Sequence, residues 1–221
     1  MLIVSTDYFR LIEEKADSMM LNLKILLLMI LTLPSIATAK NIIFCLGDSL
    51  TAGYGIEKQQ AYPALLQHLL VENNVDASVI NAGINGSTTA SGLGRLRWNL
   101  RGRDKANIVI LALGANDGLR GLDLDVTKQN LLKTIHFAKQ KGIKVLLAGL
   151  RIPSNYGDDY SRKFKQLFED VAKQEQLPMI PFLLDGVATN SSLNLADGIH
   201  PNAKGHKVMV KTVFKYLEPL L

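Results

Sequence analysis

A serine, a histidine and an aspartate in this 221-residue chain have the types and settings that acyl transfer requires. Ser49 stands in Gly47-Asp48-Ser49-Leu50-Thr51-Ala52-Gly53, a glycine-punctuated turn directly after an apolar run. A serine hydroxyl is a weak nucleophile near neutral pH, so it needs a base within hydrogen-bond reach, and imidazole has a suitable pKa. His200, in Asp197-Gly198-Ile199-His200-Pro201, is the candidate base. An imidazole that gains charge must be held in one tautomer, which a carboxylate three residues earlier can do if the short Gly198-Ile199 link curls back. Asp197 fits that role. The tetrahedral intermediate carries an oxyanion that calls for preorganised donors, and losing one donor costs roughly 100 to 1,000-fold in rate. The Ser49 N–H, the Gly83 N–H and the Asn116 side-chain amide are candidates for three. Each cluster alone is weak, since Asn-Asp-Gly is a frequent turn and Asp-x-x-His often only caps a helix. Their joint order is the specific signal.

Elements that could bring these groups together follow from the hydrophobic pattern. After Lys40, short apolar β-branched runs alternate with longer amphipathic stretches, the pattern of a parallel sheet covered by helices. Strands are expected at residues 42–46, 77–81, 108–113, 144–148 and 179–182, with helices near 62–73, 89–100, 126–140, 160–174 and 203–217. In the helix from Val126, Leu131, Ile135 and Ala138 share a face while Lys133 and Lys139 face water, and Gly142 follows as a stop. The run Ile108-Val109-Ile110-Leu111-Ala112-Leu113 reads as a strand buried on both faces. The expected fold is α/β, a three-layer α/β/α sandwich on a five-stranded parallel sheet. In such sheets functional groups gather at the carboxyl ends of the strands. The Ser49, Gly83 and Asn116 clusters all follow strands.

With these motifs in place, the chain resembles the SGNH (GDSL-type) hydrolase superfamily. Its four blocks are matched by Ser49 in Gly-Asp-Ser-Leu, Gly83, Asn116 in Gly-Ala-Asn-Asp, and Asp197 with His200 in Asp-Gly-Ile-His-Pro. The likeness runs from about Asn41 to the end and is nearest to the bacterial periplasmic thioesterase/lysophospholipase/arylesterase branch. It implies a flavodoxin-like sheet, an acyl-serine intermediate on Ser49, and no metal or cofactor. The segment Ile152-Pro153-Ser154-Asn155-Tyr156-Gly157 is similar to one that borders the acyl groove in that branch. Ile84, Leu119, Ile152, Asn155 and Tyr156 are the residues expected to meet substrate, a small acyl ester or thioester. Residue 51 is Thr, so the G-x-S-x-G elbow of α/β-hydrolases fails around Ser49. A carbohydrate O-deacetylase of the same superfamily and a non-catalytic secreted binding module are the alternatives; Trp98 is the only tryptophan for a sugar platform, and no catalytic position is lost.

The remaining features bound location and partners. Lys24, the apolar run from Ile25 to Leu33 and Ala37-Thr38-Ala39 form a signal-peptide pattern, with cleavage expected after Ala39. Residues 1–39 are therefore read as an N-terminal extension and signal peptide, and 40–221 as one hydrolase domain in the periplasm or secreted. The extension is long, and Met19 or Met20 offers an alternative start. The apolar run falls short of the roughly 20 residues a membrane span needs. Formal net charge is only +5. Arg95, Arg97, Arg101, Arg103 and Lys105 cluster without the aromatic or zinc-type companions of nucleic-acid readers, so no nucleic-acid partner is expected. The protein is expected to act as a monomer. Cys45 is the sole cysteine and excludes an intramolecular disulfide; in its apolar run it reads as a small buried hydrophobe. His68, His136 and His206 fall in expected helices and read as surface or packing residues.

Overall fold

The computed structural model describes residues 41–101 and 106–221, together with residues 15, 16, 18–20 and 24 of the N-terminal segment, which are helical and exposed. The apolar run from Ile25 to Leu33, the cleavage expected after Ala39, Arg103 and Lys105 lie outside the described residues. No helix among the described residues is long and apolar enough to cross a membrane.

Five parallel strands form the sheet: β1 (Asn41–Gly47), β2 (Ala77–Gly83), β3 (Ile108–Ala112), β4 (Lys144–Ala148) and β5 (Met179–Ile180). Their spatial order is β2-β1-β3-β4-β5, all pairs parallel. The central strand β3 is buried along its whole length. This accounts for its unbroken apolar sequence, since a strand covered on both faces has no solvent side. Strand β5 is shorter than the apolar run suggests because Pro181 follows Ile180. Proline has no N–H to give the ladder.

Helices cover both faces. Two short ones, α1 (Ser49–Ala52) and α4 (Ala115–Leu119), open directly after β1 and β3. The long ones are α2 (Tyr62–Glu72), α3 (Gly92–Asn99), α5 (Leu124–Gln140), α6 (Asp158–Glu175) and α7 (Ala203–Leu217). Helix α2 packs on α7, while α3 packs on α5 and α5 on α6, giving one helical layer on each side of the sheet. Sequence dictates where they start. Asp123 caps α5 by accepting the Asp125 and Val126 N–H groups, and Asn202 caps α7 through Lys204 and Gly205; each satisfies donors that the first helical turn cannot. In α5, Leu131, Ile135 and Ala138 are buried, and Lys133 and Lys139 are exposed.

The sheet runs outward from β1 in opposite directions, to β2 on one side and to β3 on the other. Loops leaving β1 and β3 therefore diverge at their carboxyl ends, where a crevice opens in folds of this topology. Ser49 follows β1 and Asn116 follows β3.

Candidate active site

The turn that presents Ser49 is built by its neighbours. Asp48 is fully buried and caps α1, its Oδ1 accepting the Leu50 N–H at 3.0 Å and its carbonyl the Ala52 N–H at 2.9 Å. Gly53 closes the helix in the left-handed region at φ 79°, where its N–H reaches the Ser49 carbonyl; a side chain there would be strained. Burial pushes the Asp48 carboxyl up to about 6, with the Leu50 N–H, His200 and Arg95 pulling the other way. Its Oδ2 is buried without a hydrogen-bond partner among the described residues.

His200 reaches this turn from 151 residues away, its Nε2 lying 3.0 Å from Ser49 Oγ. The other ring nitrogen, Nδ1, is 2.7 Å from Asp197 Oδ2. Asp197 Oδ1 accepts the backbone N–H groups of Ile199 and His200, each at 3.0 Å. The same carboxylate thus folds the Gly198-Ile199 link and orients the imidazole. Burial pulls the Asp197 carboxyl up, but the backbone and ring N–H groups of His200 and the Ile199 N–H outweigh it and hold the pKa below the ordinary value. The segment is anchored by Leu195, whose N–H donates to the His200 carbonyl at 2.7 Å, and by a bridge between Asn194 and Pro201.

The expected oxyanion donors are placed differently from one another. No acceptor among the described residues takes the Ser49 N–H. Asn116, in the first turn of α4, uses its Nδ2 to donate to the Ser87 carbonyl at 3.0 Å, and its second amide hydrogen has no acceptor among the described residues. Gly83 ends β2, and its N–H is already donated to Asn81 Oδ1 at 2.9 Å, so it is not available to a substrate here. A Cβ on Gly83 would stand 2.2 Å from the Ala52 nitrogen. Its absence of side chain lets β2 approach α1, a packing reason for the glycine. Gly86, three residues on, has no acceptor for its N–H among the described residues. Its carbonyl accepts from Arg120 Nη2 at 3.1 Å, one residue before the carbonyl that Asn116 holds. Sequence reading passed over Gly86; the signal was its place beside Ser87 in the Asn-Gly-Ser turn.

Ser49, Asn116 and His200 open onto one cleft of about 530 Å³. Of the residues expected to meet substrate, Leu119 and Ile152 line it, whereas Ile84, Asn155 and Tyr156 do not. Those three are exposed. Leu150, Phe182 and Leu184 supply apolar wall that sequence reading did not name. They follow β4 and β5 closely, so the rule that strand ends carry sites pointed to them. Arg151 also lines the cleft and holds its guanidinium carbon 4.5 Å from the Phe182 ring centre.

Several other titratable groups stand apart from this chemistry. Cys45 is buried, and burial pushes its thiol up to about 12. His68 is exposed, His136 contacts Glu175 at 2.8 Å on the surface, and His206 is buried with Nδ1 accepting the Tyr62 N–H at 3.1 Å. Arg95 is half-buried and donates to the Ala82 carbonyl, while Arg97 and Arg101 lie over the rings of Phe137 and Trp98.

A flavodoxin-like sheet that carries a serine, an amide and an Asp-x-x-His pair at its carboxyl edge defines an ester hydrolase of the SGNH type. The chain belongs to the GDSL-like lipase/acylhydrolase family, which matches residues 45–208. It is 39% identical to the esterase TesA of Pseudomonas aeruginosa over 183 residues, 83% of this chain and 90% of that one. It is 36% identical to an arylesterase of Vibrio mimicus, covering 86% and 95% of the two chains. Thioesterase 1/protease 1/lysophospholipase L1 of Escherichia coli K12 is 35% identical, over 84% and 87%. Among solved structures, the crystal structure of TesA superposes with a TM-score of 0.79 over 82% of this chain and 100% of that one.

Proposed function

We propose that this enzyme hydrolyses carboxylic esters and thioesters of apolar acyl groups through an acyl intermediate on Ser49. The observation that carries the proposal is the continuous chain of contacts from Ser49 Oγ to His200 Nε2 at 3.0 Å and from His200 Nδ1 to Asp197 Oδ2 at 2.7 Å. His200 removes the Ser49 proton as Oγ attacks the substrate carbonyl, then delivers that proton to the departing oxygen or sulfur. Water attacks the acyl-serine in the second half, giving one proton to His200, which passes it to Ser49 Oγ as the acyl C–O bond breaks and the acid leaves. Asp197 remains ionised throughout and stabilises the imidazolium. The Ser49 N–H and Asn116 Nδ2 serve as oxyanion donors, joined by the Gly86 N–H in place of Gly83, whose N–H is occupied.

The cleft beside Ser49 takes the acyl group, because its wall of Leu119, Leu150, Ile152, Phe182 and Leu184 offers apolar surface. Relatives named esterase, arylesterase and thioesterase support ester and thioester substrates alike. The signal-peptide pattern ahead of Lys40 supports action in the periplasm or outside the cell. Purified protein and Ser49→Ala are to be compared on a chromogenic short-chain ester and on an acyl thioester. The alanine variant is expected to lose at least about a thousandfold in kcat on both, in line with removal of a triad member. Retention of wild-type turnover by that variant would overturn the mechanism.

A further inference from the structure

The imidazole of His200 is held by more than its two hydrogen bonds. Both act in the plane of the ring, through Nδ1 and Nε2, and neither resists rocking of the ring about the line joining them. The face of the ring is covered by Tyr54, whose ring centre lies 4.6 Å from that of His200 with the planes inclined at 42°. Tyr54 is fixed to the nucleophile at its other end. Its backbone N–H donates to the Ser49 carbonyl at 3.1 Å, a consequence of the left-handed turn at Gly53. One residue therefore touches both partners of the proton transfer, through its backbone on one side and its ring on the other. Tyr54 is 48% exposed, so burial of the residue does not explain its placement. The phenol oxygen has no hydrogen-bond partner among the described residues, which leaves the aromatic face as the functional part.

We propose that Tyr54 is a positioning residue for the catalytic base. Its ring limits rocking of the His200 plane, keeping Nε2 directed at Ser49 Oγ. The negative face of the ring also favours the imidazolium that exists only after the serine proton has moved. A cation within about 6 Å of an aromatic centre gains from this attraction. Such a contribution is larger in the transition state than in the ground state, so it raises kcat without altering substrate affinity. The inference rests on the Ser-His-Asp reading above.

The experiment compares Tyr54→Phe, which keeps the ring, with Tyr54→Leu, which keeps apolar bulk but has no aromatic face. Both are assayed as purified enzymes on a chromogenic ester beside wild type and Ser49→Ala, with far-UV circular dichroism and Tm confirming the fold. Phe is expected to hold kcat within about twofold of wild type, and Leu to lower kcat about tenfold with KM within about twofold. Wild-type kcat in the Leu variant overturns the proposal. So does an equal loss in the Phe variant, or a loss confined to KM, which would make Tyr54 a substrate contact. Failure of the triad reading shows separately, as activity surviving in Ser49→Ala.

Discussion

Asp117 accepts both the backbone N–H of Thr89, at 2.9 Å, and the Thr89 hydroxyl, at 2.5 Å. Both residues are buried. The carboxylate thus ties α4, which carries Asn116, to the loop that follows β2 and carries Gly86 and Ser87. Hydrogen bonds to charged groups contribute about 1.5 to 3 kcal/mol each, and stranded buried donors add a penalty. Asp117→Ala is expected to lower unfolding stability by about 3 kcal/mol or more in urea, and to depress kcat in the fraction that remains folded because Asn116 loses its anchor. Asp117→Asn, which keeps one acceptor oxygen, should retain an intermediate share of both. Equal stability of wild type and the alanine variant would show that the two segments are held by other contacts.

Gly83 supports a sharper expectation. Its Cβ would lie 2.2 Å from the Ala52 nitrogen and 2.7 Å from the Thr51 carbonyl carbon, both backbone atoms. Backbone cannot move aside as a side-chain tip can. Gly83→Ala should therefore push α1, with Ser49 at its first position, away from the end of β2. Overpacking of this kind costs about 1 to 3 kcal/mol, so urea midpoint and kcat should fall together. If kcat falls with no change in midpoint, Gly83 acts on the chemistry more directly than its occupied N–H allows.

Much of this arrangement was legible from residue types. The strand β4 and the helix α7 fall where the apolar periodicity sets them, and the buried run of β3 needed no context beyond its own composition. Chemistry was legible where a short-range rule applied: Asp197 and His200 lie three residues apart, and the curl between them follows from one carboxylate with two acceptor oxygens. Helices α1 and α4 escaped notice because neither is long enough to show a hydrophobic period, although both lie at the site. The turn that carries Gly86, proposed above as an oxyanion donor, escaped for another reason. Gly83 and Gly86 both suit a tight turn, and only the hydrogen bond from the Gly83 N–H to Asn81 distinguishes them. Ile84 and Tyr156 are apolar and near the motifs in sequence, but whether such residues face a cleft depends on loop paths that composition does not encode.

Two buried groups should oppose each other as pH changes. Burial lowers the His206 pKa from 6.5 to about 4. Above pH 6.5 the ring is neutral in both folded and unfolded chains; between 6.5 and 4 only the unfolded chain takes the proton, so stability falls as pH falls. Burial raises Asp48 from 3.8 to about 6. Its folded form binds the proton first, so this group adds stability below about 4 and loses it as pH rises through 6. Each effect amounts to about 3 kcal/mol, and in the window from 4 to 6 they run in opposite directions. Asp48→Asn, which retains an acceptor for the Leu50 N–H, should expose the His206 loss as a steeper fall in stability on acidification from pH 6.5 to 4. His206→Gln should tilt the curve the other way. Chemical denaturation at half-unit intervals measures both. Parallel pH curves for wild type and the two variants would show that neither group is linked to folding.

Asn116 separates stability from catalysis more cleanly than any other position in the site. Its side chain makes one hydrogen bond among the described residues, to the Ser87 carbonyl, at a part-buried position where such a bond contributes about 1 kcal/mol. Under the proposed mechanism the other amide hydrogen, which has no acceptor among the described residues, acts only when charge develops on the substrate oxygen. Asn116→Ala is therefore expected to shift the urea midpoint slightly while lowering kcat about 100 to 1,000-fold, with KM little changed. Asn116→Asp keeps the size but places a carboxylate beside the developing oxyanion, so it should be at least as inactive. A fluorophosphonate probe gives an independent measure, since phosphonylation of Ser49 passes through a similar charged oxygen and should slow in both variants. Labelling at wild-type rates in Asn116→Ala would mean that the Ser49 and Gly86 N–H groups alone stabilise the oxyanion.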